Sequence, residues 1–430
     1  MQRPEIKDIS KISIFKPQTA ALDNGVHFDC INLGNQPVTR LDIAFEGGRC
    51  DGGSQTVSEM LSAILREGSC LHNAKEIAET LDFNGAWLGC DASTHNVTLS
   101  LYSLNRNFDK VVPTLAEIIF QPSFPSHEFE NIKSLAVNNL HTNRQKVAFL
   151  ALEKFTQAFF GSQSNLGKPV TEESIRGVTT DELKQFHKDW LTPQNMRVTL
   201  SGQIEPHMID SISNHFGQVP FSGIRKTSAA DKPTAVFSPD TTIVDKPDAL
   251  QSAIRIILPT VQRTNPDYIP LRILITALGG YFGSRLMSNI REDKGYTYGI
   301  SSSLLGYRNH SIISISSQCD TDYTWKVIDE IKIEIEKLQA TEMPSDELKR
   351  LKTYMLSELA RTLDTPFSIA DYYASIHNNH IPDGYFERQV EAINSITASD
   401  LKTIAQRHLS TGNMMVVIAG NRSLLMRDNA

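Results

Sequence analysis

The chain lacks any run of about 18 uninterrupted apolar residues, the length a membrane-crossing helix requires. The nearest stretch, Ile273–Leu278, follows Arg272 and is broken by Thr276. Cysteine pairs at metal or redox spacing are also missing. Five cysteines stand at positions 30, 50, 70, 90 and 319, none of them in Cys-x-x-Cys. That odd count in a large chain predicts free, mostly buried thiols rather than a disulfide framework. A basic surplus is absent as well: 42 Lys and Arg face 49 Asp and Glu, a net charge of −7. A nucleic-acid binder needs a cationic face to displace counterions, so that class is set aside, as is a membrane partner. The first ten residues carry charges where a secretory leader places its apolar segment. The expected location is cytoplasmic, or periplasmic if a leader has been removed.

What the chain does contain is a copy of itself. Residues 178–202 align without gaps on residues 396–420, a shift of 218, with 8 of 25 positions identical. Upstream, Pro125–Lys133 mirrors Pro344–Lys352 at a shift of 219. A two-copy repeat of this length means a duplicated domain, since solenoid repeats run about 20–50 residues. At 430 residues the chain suits two domains of roughly 200 residues each. The polar stretch around residues 223–235 reads as a linker, so the expected domains are 1–222 and 236–430.

Each copy opens with short alternating strands, such as Val97–Tyr102 and Ser311–Ser316. Long amphipathic helices follow: Asp109–Phe120, Ser126–Leu140, Tyr323–Leu338 and Ser345–Leu363. A last helix, Thr180–Trp190 or Ala398–His408, leads into a closing strand, Met196–Ser201 or Met414–Ala419. Strands grouped apart from helices predict an α+β fold with mainly antiparallel sheets.

Two segments carry candidate chemistry. In the first copy, Val57, Met60, Leu61, Ile64 and Leu65 recur at helical spacing, which places Glu59, Ser62, Ala63 and Arg66 on the opposite face. In the second copy, Ser284 is expected to cap a helix ending at Lys294, with Gly295 as its stop and Tyr296–Ile300 opening a strand. Arg291 and Tyr298 flank that turn. Two fixed donors aimed at one spot can polarise a peptide carbonyl and hold its tetrahedral oxyanion. The bland alternatives are an ion pair from Arg291 to Glu292 or Asp293 and a packed Tyr298. His377 and His380 read as a surface loop before Pro382 and Gly384. His187 and His408 are expected to pack, and His141 to be exposed.

Across roughly residues 15–425 this layout resembles the pitrilysin/insulinase family of zinc peptidases, whose inverted His-x-x-Glu-His motif lies on the helix matching Val57–Gly68. The resemblance implies two homologous α+β domains forming one half of a clam-shell. Its histidine ligands would fall on Glu59 and Ala63, its general base on Ser62 and its distant glutamate ligand on Asn139. All four are replaced, so the motif is degenerate and no metal is expected in this chain. The resemblance assigns Arg291 and Tyr298 to oxyanion stabilisation in trans. It further implies a heterodimer in which a homologous subunit supplies His-x-x-Glu-His and zinc, acting on unfolded peptide. The rivals are a catalytically inactive structural or assembly subunit and a peptide-binding homodimer.

Overall fold

The computed structural model describes residues 11–221, 224–229 and 237–426. Most of the expected linker lies outside these residues. The first sheet contains β1 (Gln18–Ala21), β2 (His27–Asn32), β3 (Val38–Glu46), β4 (Trp87–Ala92), β5 (Asn96–Leu104) and β6 (Met196–Gly202), in the order β1-β2-β6-β3-β5-β4. The second contains β7 (Thr241–Asp245), β8 (Gln251–Thr260), β9 (Thr297–Gly306), β10 (Ser311–Asp320) and β11 (Met415–Gly420), in the order β7-β11-β8-β10-β9. Neighbours are antiparallel except β2 with β6 and β7 with β11. The expected α+β class with mainly antiparallel sheets therefore holds.

The helices of the first half are α1 (Gln55–Ile64), α2 (Ala74–Phe83), α3 (Phe108–Phe120), α4 (Ser126–Arg144), α5 (Val147–Phe160), α6 (Glu172–Arg176), α7 (Thr180–Trp190) and α8 (Pro206–Ile212). Those of the second are α9 (Tyr268–Gly279), α10 (Thr324–Ala340), α11 (Ser345–Arg361), α12 (Pro366–Asn378), α13 (Tyr385–Ser395), α14 (Ala398–His408) and α15 (Arg422–Leu425). Local chemistry sets their starts. Thr179 and Glu182 form a reciprocal capping box on α7, and Thr397 and Asp400 repeat it on α14. No helix among the described residues is long and apolar enough to cross a membrane. All five cysteines are free, and Cys30, Cys50 and Cys319 are buried.

Each sheet packs one face on its own helices. Leu41, Ile43 and Phe45 of β3 join the first core, and Ile254, Ile256 and Leu258 of β8 join the second. The opposite, inner faces are covered by exchange. Helix α5 leaves the first half and lays Val147, Ala151, Phe155 and Phe159 on Ala253, Ile257, Met415 and Val417 of the second sheet. Helix α12 returns the exchange and packs on β2 and β6 of the first. The two helices start 219 residues apart, at the spacing of the repeat.

Charge locks the exchange on the first sheet. Arg308 at the β9–β10 turn reaches both carboxylate oxygens of Glu46, at 2.7 and 3.1 Å, and both side chains are buried. Burial pushes the Glu46 carboxyl up, but the Arg308 hydrogen bonds and charge, together with the His380 charge and a Ser228 backbone hydrogen bond, leave the group below the usual carboxylate range. Arg40 donates to Asp371 of α12 at 2.7 Å and to the Phe367 carbonyl at 3.2 Å. Asp29 sits between His27, Arg197 and His377 at 2.9, 2.8 and 3.6 Å.

His377 corrects the loop expectation. It occupies the last turn of α12 over Asp29, because the breakers Pro382 and Gly384 act one turn too late to expel it. His380, at φ 51°, comes after the helix end and approaches Glu46 at 3.9 Å. His187 packs as expected, with its ring nitrogen 2.6 Å from the Ile119 carbonyl. His141 is exposed and pairs with Glu172, while His408 pairs with Asp267.

Breaking a buried pair leaves an uncompensated charge, at a cost of about 3–5 kcal/mol. Arg308→Ala should therefore lower the unfolding free energy from urea titration by that order, and a change below about 1 kcal/mol would show the pair to be irrelevant to stability. Burial, then the Arg197 charge, depress the His377 pKa to about 4. An unfolded histidine titrates near 6.5, so the unfolded chain binds the extra proton first as pH falls. Stability should thus decline from about pH 6.5 toward pH 4. Urea titrations of His377→Gln should show a flatter decline over that window, and an unchanged slope would exclude His377 as its source.

Candidate functional site

Two places carry the expected chemistry. The first is built on α1, where Ser54 accepts from the Thr56 N–H to start the helix. Val57, Met60, Leu61 and Ile64 turn into the core. Glu59, Ala63 and, from α4, Asn139 line one cavity of about 600 Å³. Ile132, Leu135 and Phe149 make much of its wall apolar. Ser62 does not share the opposite face as expected: it is buried, and its hydroxyl donates to the Glu59 carbonyl at 2.8 Å. Burial raises the Glu59 carboxyl above the usual range, opposed by Arg49 at 3.7 Å.

These residues do not fit zinc. Ala63 offers no lone pair, the Asn139 amide is a weak donor and the Ser62 hydroxyl is committed to backbone. Among the described residues no group of three or more His, Cys, Asp or Glu is arranged to hold a metal. What remains is a largely apolar cavity whose charged lining is Glu59, Glu153, Arg49 and Lys168.

The second place is the start of β9, an edge strand of the second sheet. Ahead of it, α9 runs into Gly279, where an added Cβ would meet the Ser302 amide nitrogen at 2.7 Å. A π-helical turn, Met287–Asp293, carries Arg291. Ser284 does not cap it, since its hydroxyl is buried without a partner among the described residues. Arg285 instead pins the segment by a two-pronged pair to Glu347, at 2.8 and 3.1 Å. Gly295, at φ 66°, then turns the chain into β9 as expected.

Tyr298 owes its direction to an irregularity. Ile300 pairs with Ser317 and Thr297 with Cys319, so Tyr298 and Gly299 together oppose Gln318. This is a β-bulge, one extra residue that re-aims what it carries. Strict alternation would put Tyr298 on the buried face with Ile300. The bulge sends it to the inner face, and it is 88% exposed while Thr297 and Ile300 are buried. Thr297 and Ser317 hold the bulge through bonds to each other and to the Gly299 carbonyl.

Arg291 is exposed, and its guanidinium lies 5.1 Å from the centre of the Phe282 ring. Neither the ion pair to Glu292 or Asp293 nor a packed Tyr298 is seen among the described residues. The phenol stands in solvent on the edge strand, and the cation is exposed on the turn that precedes it.

Sequence reading passed over the charges on the inner faces. The signal was available in β3, where Arg40, Asp42 and Glu46 alternate with Leu41, Ile43 and Phe45. Alternating charges on a strand whose other face is core imply a second buried surface.

Comparison with known proteins supplies context. Residues 177–355 match the Peptidase M16 inactive domain and residues 55–170 match Insulinase (Peptidase family M16). The chain is 23% identical to an "Uncharacterized zinc protease YmxG" of Bacillus subtilis over 350 residues, 81% of this chain and 83% of that one. It is 24% identical over 271 residues to a "Non-peptidase homolog YmxG" of Helicobacter pylori, 61% of each chain. Its fold superposes on a crystal structure of a peptidase M16 inactive domain from Pseudomonas fluorescens with a TM-score of 0.82, at 21% identity over 95% of this chain and 98% of that one. A protease from Helicobacter pylori gives a TM-score of 0.85 at 17% identity, covering 95% of this chain and 100% of that one.

The carry-over onto α1 can be tested directly. Glu59→His, Ser62→Glu, Ala63→His and Asn139→Glu together should create a site binding one zinc per chain, measured by metal analysis after dialysis. Failure of a folded quadruple variant to retain zinc would show that the register onto the family motif is wrong.

Proposed function

The chain belongs to the M16 peptidase family, and on that premise we propose that it is the zinc-free subunit of a two-component peptidase. In this reading a homologous subunit bearing His-x-x-Glu-His holds the zinc, which supplies water activation there. This chain contributes Arg291 and Tyr298 to the peptide being cut. The observation that carries the reading is the bulge-directed exposure of Tyr298 at the free edge of β9, with Arg291 exposed on the preceding turn and without an acidic partner among the described residues.

The physical roles follow from the residue types. An exposed edge strand offers unpaired N–H and C=O groups to which an extended, unfolded peptide adds as a further strand. Arg291 then donates to the scissile carbonyl as a permanent cation. Tyr298 donates its phenolic O–H to the same oxygen, and both bonds strengthen as negative charge develops.

A second reading keeps the peptide and drops the chemistry. The cavity beside α1 exposes Leu135 and Leu152, two of its lining residues, which suits a purely peptide-binding or assembly subunit. Kinetics separate the two. In the assembled complex, Arg291→Ala or Tyr298→Phe should lower kcat by about 100-fold with KM little changed. Full turnover in the double variant would leave the binding or assembly reading standing.

A further inference from the structure

Where α5 covers it, the inner face of the second sheet is apolar. Ala253, Ile257, Ile312, Met415, Val417 and Ala419 all belong to the cluster that α5 covers. One cation interrupts it. Arg255 lies on β8 between Ala253 and Ile257, so by the two-residue period of a strand it shares their face. It is half-buried, and it has no hydrogen bond or ion pair among the described residues. Burial pulls its guanidinium below the usual arginine range, with no carboxylate to oppose the shift.

The first half shows how the same position is normally satisfied. Asp42 of β3 stands opposite Thr199, and Arg255 of β8 stands opposite Val417; positions 199 and 417 are partners in the repeat. Arg255 is therefore the counterpart of Asp42. Asp42 accepts from Arg40 at 2.8 Å and from Ser100 at 2.6 Å. The counterpart of Ser100 is Ser316, the cross-strand neighbour of Arg255, and that of Arg40 is Ala253. The second half keeps a charge here with its sign inverted and its counter-ion deleted.

Space lies open in front of it. A groove of about 450 Å³ is lined by Arg255 together with Ala148 of α5, Gly299 and Ser301 of β9, and Ser316 and Gln318 of β10. Among the described residues no carboxylate lines the groove. Gly299 is the second residue of the bulge that aims Tyr298, so the groove adjoins the proposed reaction site. A half-desolvated guanidinium in an acid-free groove is suited to an anion brought by a ligand, and its planar fork matches a carboxylate.

We propose that Arg255 anchors a carboxylate of a peptide lying along the inner face of β9 and β10. The carboxylate is either an internal acidic side chain or the C-terminus. This rests on the reading that the face receives peptide, and it adds a preference for acidic substrates. Arg255 binds and positions, without touching the scissile group.

The test uses the full chain and fluorescein-labelled decapeptide pools, randomised except for one central position fixed as Glu or Gln and ending in acid or amide. Anisotropy titrations should show about 10-fold weaker binding when the anchoring carboxylate is removed. The arm that loses affinity identifies its source. Arg255→Gln should reduce acid-bearing pools to the level of the neutral one and leave the neutral pool unchanged. Its melting temperature should equal or exceed that of the wild type, since an unpaired buried charge has been removed. Equal wild-type affinities for all pools would overturn the carboxylate subsite alone. A fall in melting temperature would assign Arg255 to the scaffold and overturn it too. No binding of any pool would overturn the peptide reading and this inference together.

Discussion

The exchange of α5 and α12 between the two sheets is the constraint on which the rest depends. A sheet that buries one face on its own helices still has a second face to cover, and each half covers it with the other's helix. The apolar stripe of α5 makes this a matter of hydrophobic burial on the second sheet. On the first sheet the same geometry is held by charge, through Glu46 with Arg308 and through Arg40 with Asp371. Of these only Glu46 with Arg308 is buried on both sides, and such a pair contributes little net stability against apolar replacements. The outcome is two halves held against each other, with the inner face of β9 and the Ser316–Gln318 end of β10 left open.

That opening places the candidate chemistry. Helix α5 covers β7, β8 and β11 and stops short of the sheet edge. Beyond its reach lie Tyr298 and the free edge of β9, while the groove before Arg255 opens beside Ala148 at the start of the helix. The first half has moved in the opposite direction. Its α1 has an amphipathic frame, and Ser62, Ala63 and the nearby Asn139 make a poor donor set for zinc. Duplication lets the two halves share a scaffold while diverging in charge, and the pair Asp42 and Arg255 shows this at one position.

Much of this was legible in the chain because it is local. Thr179 with Glu182 and Thr397 with Asp400 announce α7 and α14, and the apolar spacing of α1 survives into the structure. The repeat made the two-sheet architecture readable, and the Gly295 turn was apparent from its residue type. What could not be read is non-local. The partners of α5 lie far downstream, on β8 and β11, and nothing in Val147–Phe160 names them. The bulge depends on register between β9 and β10, which alternation alone misassigns, and Arg255 looks like any strand arginine until Asp42 is superposed on it. His377 escaped for a similar reason, since its burial comes from Asp29, far away in sequence.

The central claim is a division of labour between two polypeptides, and reconstitution tests it most directly. The purified chain and a purified His-x-x-Glu-His homologue would each be assayed for zinc and for peptide cleavage, then mixed in equal amounts. The account predicts zinc in the homologue alone, little cleavage by either protein and a large gain in turnover on mixing. Cleavage by this chain unaided, or full activity of the homologue without it, would contradict the account.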